Sequence, residues 1–137
     1  MASAYPLEIV TPDKNFFEGD VEMVIVRTAE GDVGILNDHE PLVAPVSIGS
    51  VRVKIDGKFK DAACSGGFLC VEEDKTTIVT DCAEWADEID ANRAKAALDR
   101  AQKRLEKKDE DLDTLRAKIA LNKAINRIRV SGVSTDK

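Results

Sequence analysis

Apolar spacing changes once along this chain, near Glu84, and that change limits what either side can become. Between residues 5 and 82 the period is that of strands, with apolar positions recurring every second residue. "VRVKIDGKFKDAA" puts Val51, Val53 and Ile55 on one face and Arg52 and Lys54 on the other. Asp56-Gly57 stands between two such runs, and Asp-Gly readily takes the positive φ angles of a two-residue hairpin. "VEMVIVRTA" is dense in β-branched residues, and "FLCVEEDKTTIVTDCA" reads as another hairpin about Glu73, Asp74 and Lys75. Turn formers recur at Thr11-Pro12-Asp13, Glu30-Gly31-Asp32, Asn37-Asp38, Gly49-Ser50 and Gly66-Gly67. Many short strands with no long helix between them predict a sandwich or barrel and argue against a parallel βαβ sheet.

From Glu84 the period lengthens to that of a helix. Ala94, Ala97, Leu98, Ala101 and Leu105 share one helical face. Asp87 is expected to cap the start, with Glu88 and Asp90 suiting the positive end of the dipole and Lys103, Arg104, Lys107 and Lys108 the negative end. "KKDED" breaks the pattern, and a second helix is predicted from Leu112 to Val130. Its apolar stripe is expected to run through Leu112, Leu115 and Ile119 and on through Ala124, Ile125 and Ile128. A short polar break between two helices implies an antiparallel hairpin, and "SGVSTDK" reads as a frayed tail. The expected domains are therefore residues 1–83, strand-built, and 84–137, a helical hairpin.

Ala91, Ala94, Ala97 and Ala101 stand where a strong core would carry Leu, and each forgoes roughly 2 kcal/mol of burial. Two readings fit such a hairpin: a weakly held element that moves, or a permanently docked Ala-rich pair. Its charges admit two readings as well. On a wheel of about 100° per residue, Arg93, Arg100 and Arg104 fall within about 40° of one another, and Arg116, Lys123 and Arg127 form a second stripe. Facing stripes would repel unless an anion or acidic surface lay between them. Equally, such cations are common on solvated helices, and Asp90 has Arg93 and Lys95 within pairing reach.

Residues 1–83 carry 15 Asp/Glu and 7 Lys/Arg, against 10 and 12 in residues 84–129. The acidic front half speaks against nucleic acid as a partner. No run approaches the ~20 apolar residues of a membrane span, and the start has neither a secretory nor a transit pattern. Cys64, Cys70 and Cys82 form no CxxC pair and are expected to be reduced thiols packed among strands. His39 is the only histidine, so neither a metal site nor a Ser-His-Asp arrangement is expected, and His39 itself reads as a turn or surface residue. "CSGGFLC" lacks the Lys of a phosphate loop and does not open a helix. No catalytic residue is predicted.

Two stretches together carry a family resemblance. "FFEGDVEMVIVRTAEGDVGILNDHEPLVAPVSIGSVRV" contains E-G-x-x-G-I-L, then H-x-P-L, then G-x-V-x-V, and "IDANRA" fits [IL]-D-x-x-R-A at each fixed position. In that order, followed by a helical hairpin, they make the chain similar to the epsilon subunits of bacterial F-type ATP synthases, over nearly its whole length. The resemblance implies a flattened β-sandwich of about ten strands with a two-helix hairpin behind it. It implies a non-catalytic central-stalk subunit that couples an ion-driven ring to the catalytic sector, peripheral on the cytoplasmic face of the bacterial cell membrane. The implied partners are the gamma subunit, the rotor ring of membrane c subunits (with Asp32 and His39 at its polar loops) and, with the hairpin extended, the catalytic alpha and beta subunits.

By position, the resemblance also implies that Glu84, Ile89, Asp90, Arg93, Ala94, Arg100, Lys123 and Arg127 hold a regulatory ATP without hydrolysing it. No cofactor is required. Lys123 departs from the pattern, since nucleotide-binding members carry Arg there, and Lys keeps the charge but loses the bidentate fork. The hairpin would fold around ATP and, without it, extend and block ATP hydrolysis. Two alternatives stand beside this: a free-standing sandwich adaptor with a protein-recognition hairpin, and a small nucleotide-hydrolysing enzyme, against which the missing phosphate loop and base weigh.

Overall fold

The computed structural model describes residues 3–107 and 111–133, apart from the side chains of 111–113 and 133. Among them eight strands form: β1 (Tyr5–Val10), β2 (Asn15–Val21), β3 (Met23–Thr28), β4 (Gly31–Ile35), β5 (Leu42–Ile55), β6 (Lys58–Val71), β7 (Thr76–Thr80) and β8 (Ala83–Trp85). A 3-10 turn at Ala86–Glu88 leads into helices α1 (Ala91–Lys107) and α2 (Asp111–Val133). The strand path runs β2-β1-β7-β6-β5-β3-β4, with β8 added on β6. Every pairing is antiparallel except that of β1 with β7.

The sandwich-and-hairpin architecture agrees with the sequence reading, with fewer and longer strands. Gly49-Ser50 and Gly66-Gly67 do not end strands; they lie inside β5 and β6, each 14 residues long and paired with the other from Leu42↔Val71 to Ile55↔Lys58. Gly66 and Gly67 take φ of 98° and 132°, so β6 bends there instead of stopping. At Gly67 a Cβ would stand 1.8 Å from the Val79 carbonyl oxygen. β5 shifts register against β3 between the pairs Val26↔Val51 and Thr28↔Val46, and the buried side of β5 changes with it. The turns at Asp56-Gly57 and Glu72–Lys75 form as read, with φ of 52° and 77° at the first and a Glu72 N–H to Lys75 O bond of 2.9 Å at the second.

One core fills the sandwich, built from Leu7, Ile9, Val24, Val26, Val51, Val53, Leu69 and Ile78 among others. Cys64 belongs to it, whereas Cys70 and Cys82 are only half-buried. β8 crosses the expected boundary at residue 83. Trp85 stacks on Phe16 at 4.6 Å between ring centres and lies under the Lys60 ammonium at 4.1 Å, so the strand-built unit runs to Trp85.

The hairpin departs from the sequence reading in three places. α1 begins at Ala91 rather than just after Asp87, and its cap is Asp90: the Asp90 carboxylate accepts the Arg93 backbone N–H at 3.1 Å, while Asp87 sits in the 3-10 turn. Part of the expected stripe on α2 is turned outward, with Leu115 at 56%, Ile119 at 41% and Ile125 at 37% exposure, while Ala124 is buried as expected. The buried positions are Ala117, Ala124, Asn126 and Val130. α2 is packed on one side by α1 and on another by β5 and β6, and small side chains let three bodies approach where Leu and Ile would hold them apart. Helix also continues through Ser131 and Gly132, where a frayed tail was expected to begin. Most of the "KKDED" break, the side chain of Leu112 and the last four residues of the tail lie outside the described residues.

Candidate functional site

The chemistry-bearing side chains concentrate where α2 lies across the outer face of β5, β6 and β8. Ala63 of β6 alternates with the core residues Ala62 and Cys64 and so faces outward, where it meets Ala86, Val130 and the half-buried Ile89. That cluster is built mostly of small residues. Two polar contacts reinforce it. The Asn126 side-chain amide donates to the backbone oxygens of Gly49, at 3.0 Å, and Cys64, at 3.5 Å, tying α2 to both long strands. Arg127 donates from Nε to Glu84 of β8 at 2.5 Å and from Nη2 to the Cys82 sulfur at 3.8 Å. Burial works against the Arg127 charge, but the hydrogen bond and charge of Glu84, with a smaller contribution from Cys82, more than offset it and hold the guanidinium above its usual value.

Three of the eight positions that the resemblance assigns to a nucleotide meet here. Glu84, Lys123 and Arg127 line one small cavity of about 10 Å³ beside Cys82 and Asn126. Ile89 packs on the adjoining apolar cluster. Asp90 is turned back on its own helix as the cap, and Ala94 is buried at 4% exposure. Arg93 and Arg100 are exposed on α1, whereas Arg127 is paired with Glu84.

The two ring-contact positions lie at different places. Asp32 of β4 is held by Arg27, Nε to Oδ1, at 2.6 Å; both side chains are about half exposed, so the pair contributes little to stability. His39 sits in the loop after β4, just past Asp38 with its φ of 67°, and its Nδ1 is 2.7 Å from the Glu40 carbonyl oxygen. It shares a cavity of about 100 Å³ with Asp38 and with the β6–β7 turn, Glu72 to Lys75.

Sequence reasoning missed Asn126. Its signal was an amide set among Ala124, Ile125 and Ile128 with no helix end to cap. It also missed an exposed apolar face. Val43 at 70%, Phe68 at 59% and Val79 at 50% exposure lie together, since Phe68 pairs with both Pro45 and Val79, and Val43 is two residues from Pro45. Each residue read singly is an ordinary strand apolar; only the register shows them on one outward surface.

Comparison with known proteins follows the same division. Residues 4–86 match the family "ATP synthase, Delta/Epsilon chain, beta-sandwich domain" and residues 87–132 match "ATP synthase, Delta/Epsilon chain, long alpha-helix domain". The ATP synthase epsilon chain of Bacillus velezensis is 51% identical over 126 residues, covering 92% of this chain and 96% of that one. That of Alkalihalophilus pseudofirmus is 50% identical over 131 residues, covering 95% and 98%. Among solved structures, a chain of the Euglena gracilis mitochondrial ATP synthase, solved as OSCP/F1/c-ring, superimposes with a TM-score of 0.81 at 26% identity, over 92% of this chain and 80% of that one.

Proposed function

Because this chain belongs to the family of ATP synthase epsilon chains, we propose that it is a non-catalytic rotor subunit whose hairpin acts as a releasable brake on ATP hydrolysis. The observation that carries the brake is the thinness of the α2 seam. Among the described residues the seam holds a small apolar cluster of Ala63, Ala86, Ile89 and Val130, the Asn126 amide and the Arg127–Glu84 ion pair. A net contribution of about 1 kcal/mol per hydrogen bond leaves docking and release close in free energy. Extended, the hairpin would present Arg93, Arg100, Lys123 and Arg127 to acidic segments of the alpha and beta subunits.

The sandwich supplies the fixed attachments. The outward face of Val43, Pro45, Phe68 and Val79 is an apolar patch of the kind that marks a protein contact, and it is assigned to the gamma subunit. The loop of His39 and the acidic turn Glu72-Glu73-Asp74 form one end of the sandwich and are assigned to the polar loops of the membrane ring. Asp32 reaches a ring residue only by leaving Arg27. Among the described residues no helix is long and apolar enough to cross a membrane. The protein would sit at the cytoplasmic face of the cell membrane through these contacts.

ATP would favour the docked hairpin if its phosphates drew Arg93 and Arg100 toward Lys123 and Arg127. A ligand that binds only the docked form adds about 2.7 kcal/mol at one hundred times its dissociation constant, enough to set the position of a seam this thin. The test is ATPase activity of the catalytic complex carrying the full chain, the chain ending at Ala86, or Asn126→Ala with Glu84→Ala, which breaks the seam from the sandwich side and keeps the hairpin's cations. Truncation should raise hydrolysis and the double substitution should lower it; equal rates in all three would refute the brake. Calorimetry with ATP tests the nucleotide separately. Arg93→Ala and Asp90→Asn, which keeps a capping side chain, should each weaken binding, and no saturable heat in the native chain at millimolar ATP would remove ATP from the scheme.

A further inference from the structure

On the flank of α2 away from Arg127 lies a much larger cleft, about 700 Å³, walled by β3 and β5 on one side and the last turns of α2 on the other. Its volume falls within the range of about 300–1,000 Å³ typical of small-molecule sites. Three guanidiniums line it, each from a different element: Arg27 of β3, Arg52 of β5 and Arg129 of α2. Ile48, Ile125 and Val130 supply apolar surface between them.

The arginines are only partly used. Arg27 and Arg52 each spend Nε on a carboxylate, Asp32 at 2.6 Å and Asp61 at 3.1 Å. Their terminal amino groups enter no further hydrogen bond among the described residues, and Arg129 has no ion pair there. Three cations thus meet two carboxylates, an excess of one positive charge on a chain whose net charge is −6. Gly49 makes room for the arrangement. A Cβ at that position would stand 2.7 Å from both Cβ and Cγ of Arg27, so the absent side chain is what lets the Arg27 stem lie across β5.

We propose that this cleft binds a small organic phosphate, its oxygens on Arg27, Arg52 and Arg129 and its body against Ile48, Ile125 and Val130. Guanidinium forks match phosphate oxygens in pairs, and the mixed lining suits a monoester with an apolar body better than a bare ion. The site is separate from the nucleotide motif: it shares none of Glu84, Asp90, Arg93, Lys123 or Arg127. Because the sandwich provides two arginines and α2 the third, a bound phosphate spans the seam and is held only while the hairpin is docked. It is therefore a second latch, acting through sandwich and α2 together. The binding claim stands without the rotor reading; only its consequence for the brake rests on that reading.

Phenyl phosphate is a suitable probe, being a monoester with an apolar ring and no nucleotide base. Titrated into the full chain by calorimetry it should bind at one site. Arg129→Ala, an exposed position whose loss leaves the fold intact by circular dichroism, should weaken it at least tenfold, and Arg129→Lys should recover part of the loss. Arg93→Ala and Arg100→Ala, which remove exposed cations of α1 and leave the α2 seam intact, should leave it within twofold. Amide exchange in α2 should slow in proportion to occupancy. No saturable binding at millimolar probe, or binding unchanged in Arg129→Ala, overturns the proposal. ATP that binds through Arg93 while phenyl phosphate fails would overturn this site alone and leave the nucleotide reading standing.

Discussion

Leu69 and Ala124 are both fully buried, yet they are buried in different kinds of interface. Around Leu69 the core is made mostly of Leu, Ile and Val from seven strands, and large side chains exclude water over a wide area. Ala124 belongs to a helix whose buried side chains, among the described residues, are Ala117, Ala124, Asn126 and Val130, fastened to the sandwich by the Asn126 amide and the Arg127–Glu84 pair. Burial depth is the same; burial area is not, and area sets the hydrophobic free energy. The sandwich should therefore behave as one cooperative unit, and the hairpin as an attachment released at much lower free energy.

Substitutions should separate the two regions, and the largest effect belongs to the sandwich. Gly67→Ala combines a forbidden backbone angle with a Cβ inside the Val79 carbonyl. It should cost at least about 4 kcal/mol and abolish the cooperative unfolding transition in denaturant. Leu69→Ala should lower global stability by about 3 kcal/mol. By contrast Asn126→Ala, which leaves the Gly49 and Cys64 oxygens without their side-chain donor, should cost about 1–3 kcal/mol at the seam alone. Hydrogen exchange should then accelerate in α2 while β5 through β7 keep native protection; equal acceleration in both would mean that hairpin and sandwich are one unit after all.

Alkali should act on the sandwich first. Burial pushes the Cys64 thiol up to about 12 from its usual 9.0, and burial likewise pushes the Tyr5 phenol up to about 12 from 10.0. Both groups stay neutral in the folded chain at a pH where the unfolded chain has lost their protons, so the unfolded state binds fewer protons and stability falls as pH rises. The contribution is intact below the unfolded values and is lost from about pH 9 toward pH 12. Cys64→Ala should flatten the early part of that decline in denaturation curves across this range. Cys70 and Cys82 should alkylate in the native protein well before Cys64. The smallest effect is expected at the exposed pair Lys103–Asp99, 3.2 Å apart on α1, where Lys103→Ala should change stability by no more than about 0.5 kcal/mol.

Much of this division was legible in the chain. Val51, Val53 and Ile55 alternate with Arg52 and Lys54 because a pleated strand gives them opposite faces, and Asp56-Gly57 adopts positive φ because its side chains tolerate it. What failed on α2 failed for one reason. Leu115, Ile119 and Ile125 form a better apolar stripe than Ala117 and Val130, so periodicity selected them beside Ala124. The helix instead turned its small residues inward, because it had to fit against α1 and two strands at once. The positions that the resemblance assigns to a nucleotide divide in the same way. Glu84, Lys123 and Arg127 are close because β8 and α2 touch, whereas Arg93 and Arg100 are exposed on α1.

The sequence by itself determined the two units, their order, most of the strand turns and the family, because these depend on local spacing and on residues read in a row. Tertiary structure alone decided which face of α2 is buried, which cations are neutralised and where a cleft opens between helix and sheet. Those outcomes depend on distances between residues dozens of positions apart, such as Arg127 with Glu84 and Asn126 with Gly49. No local pattern encodes a distance that only the packing of separate elements creates.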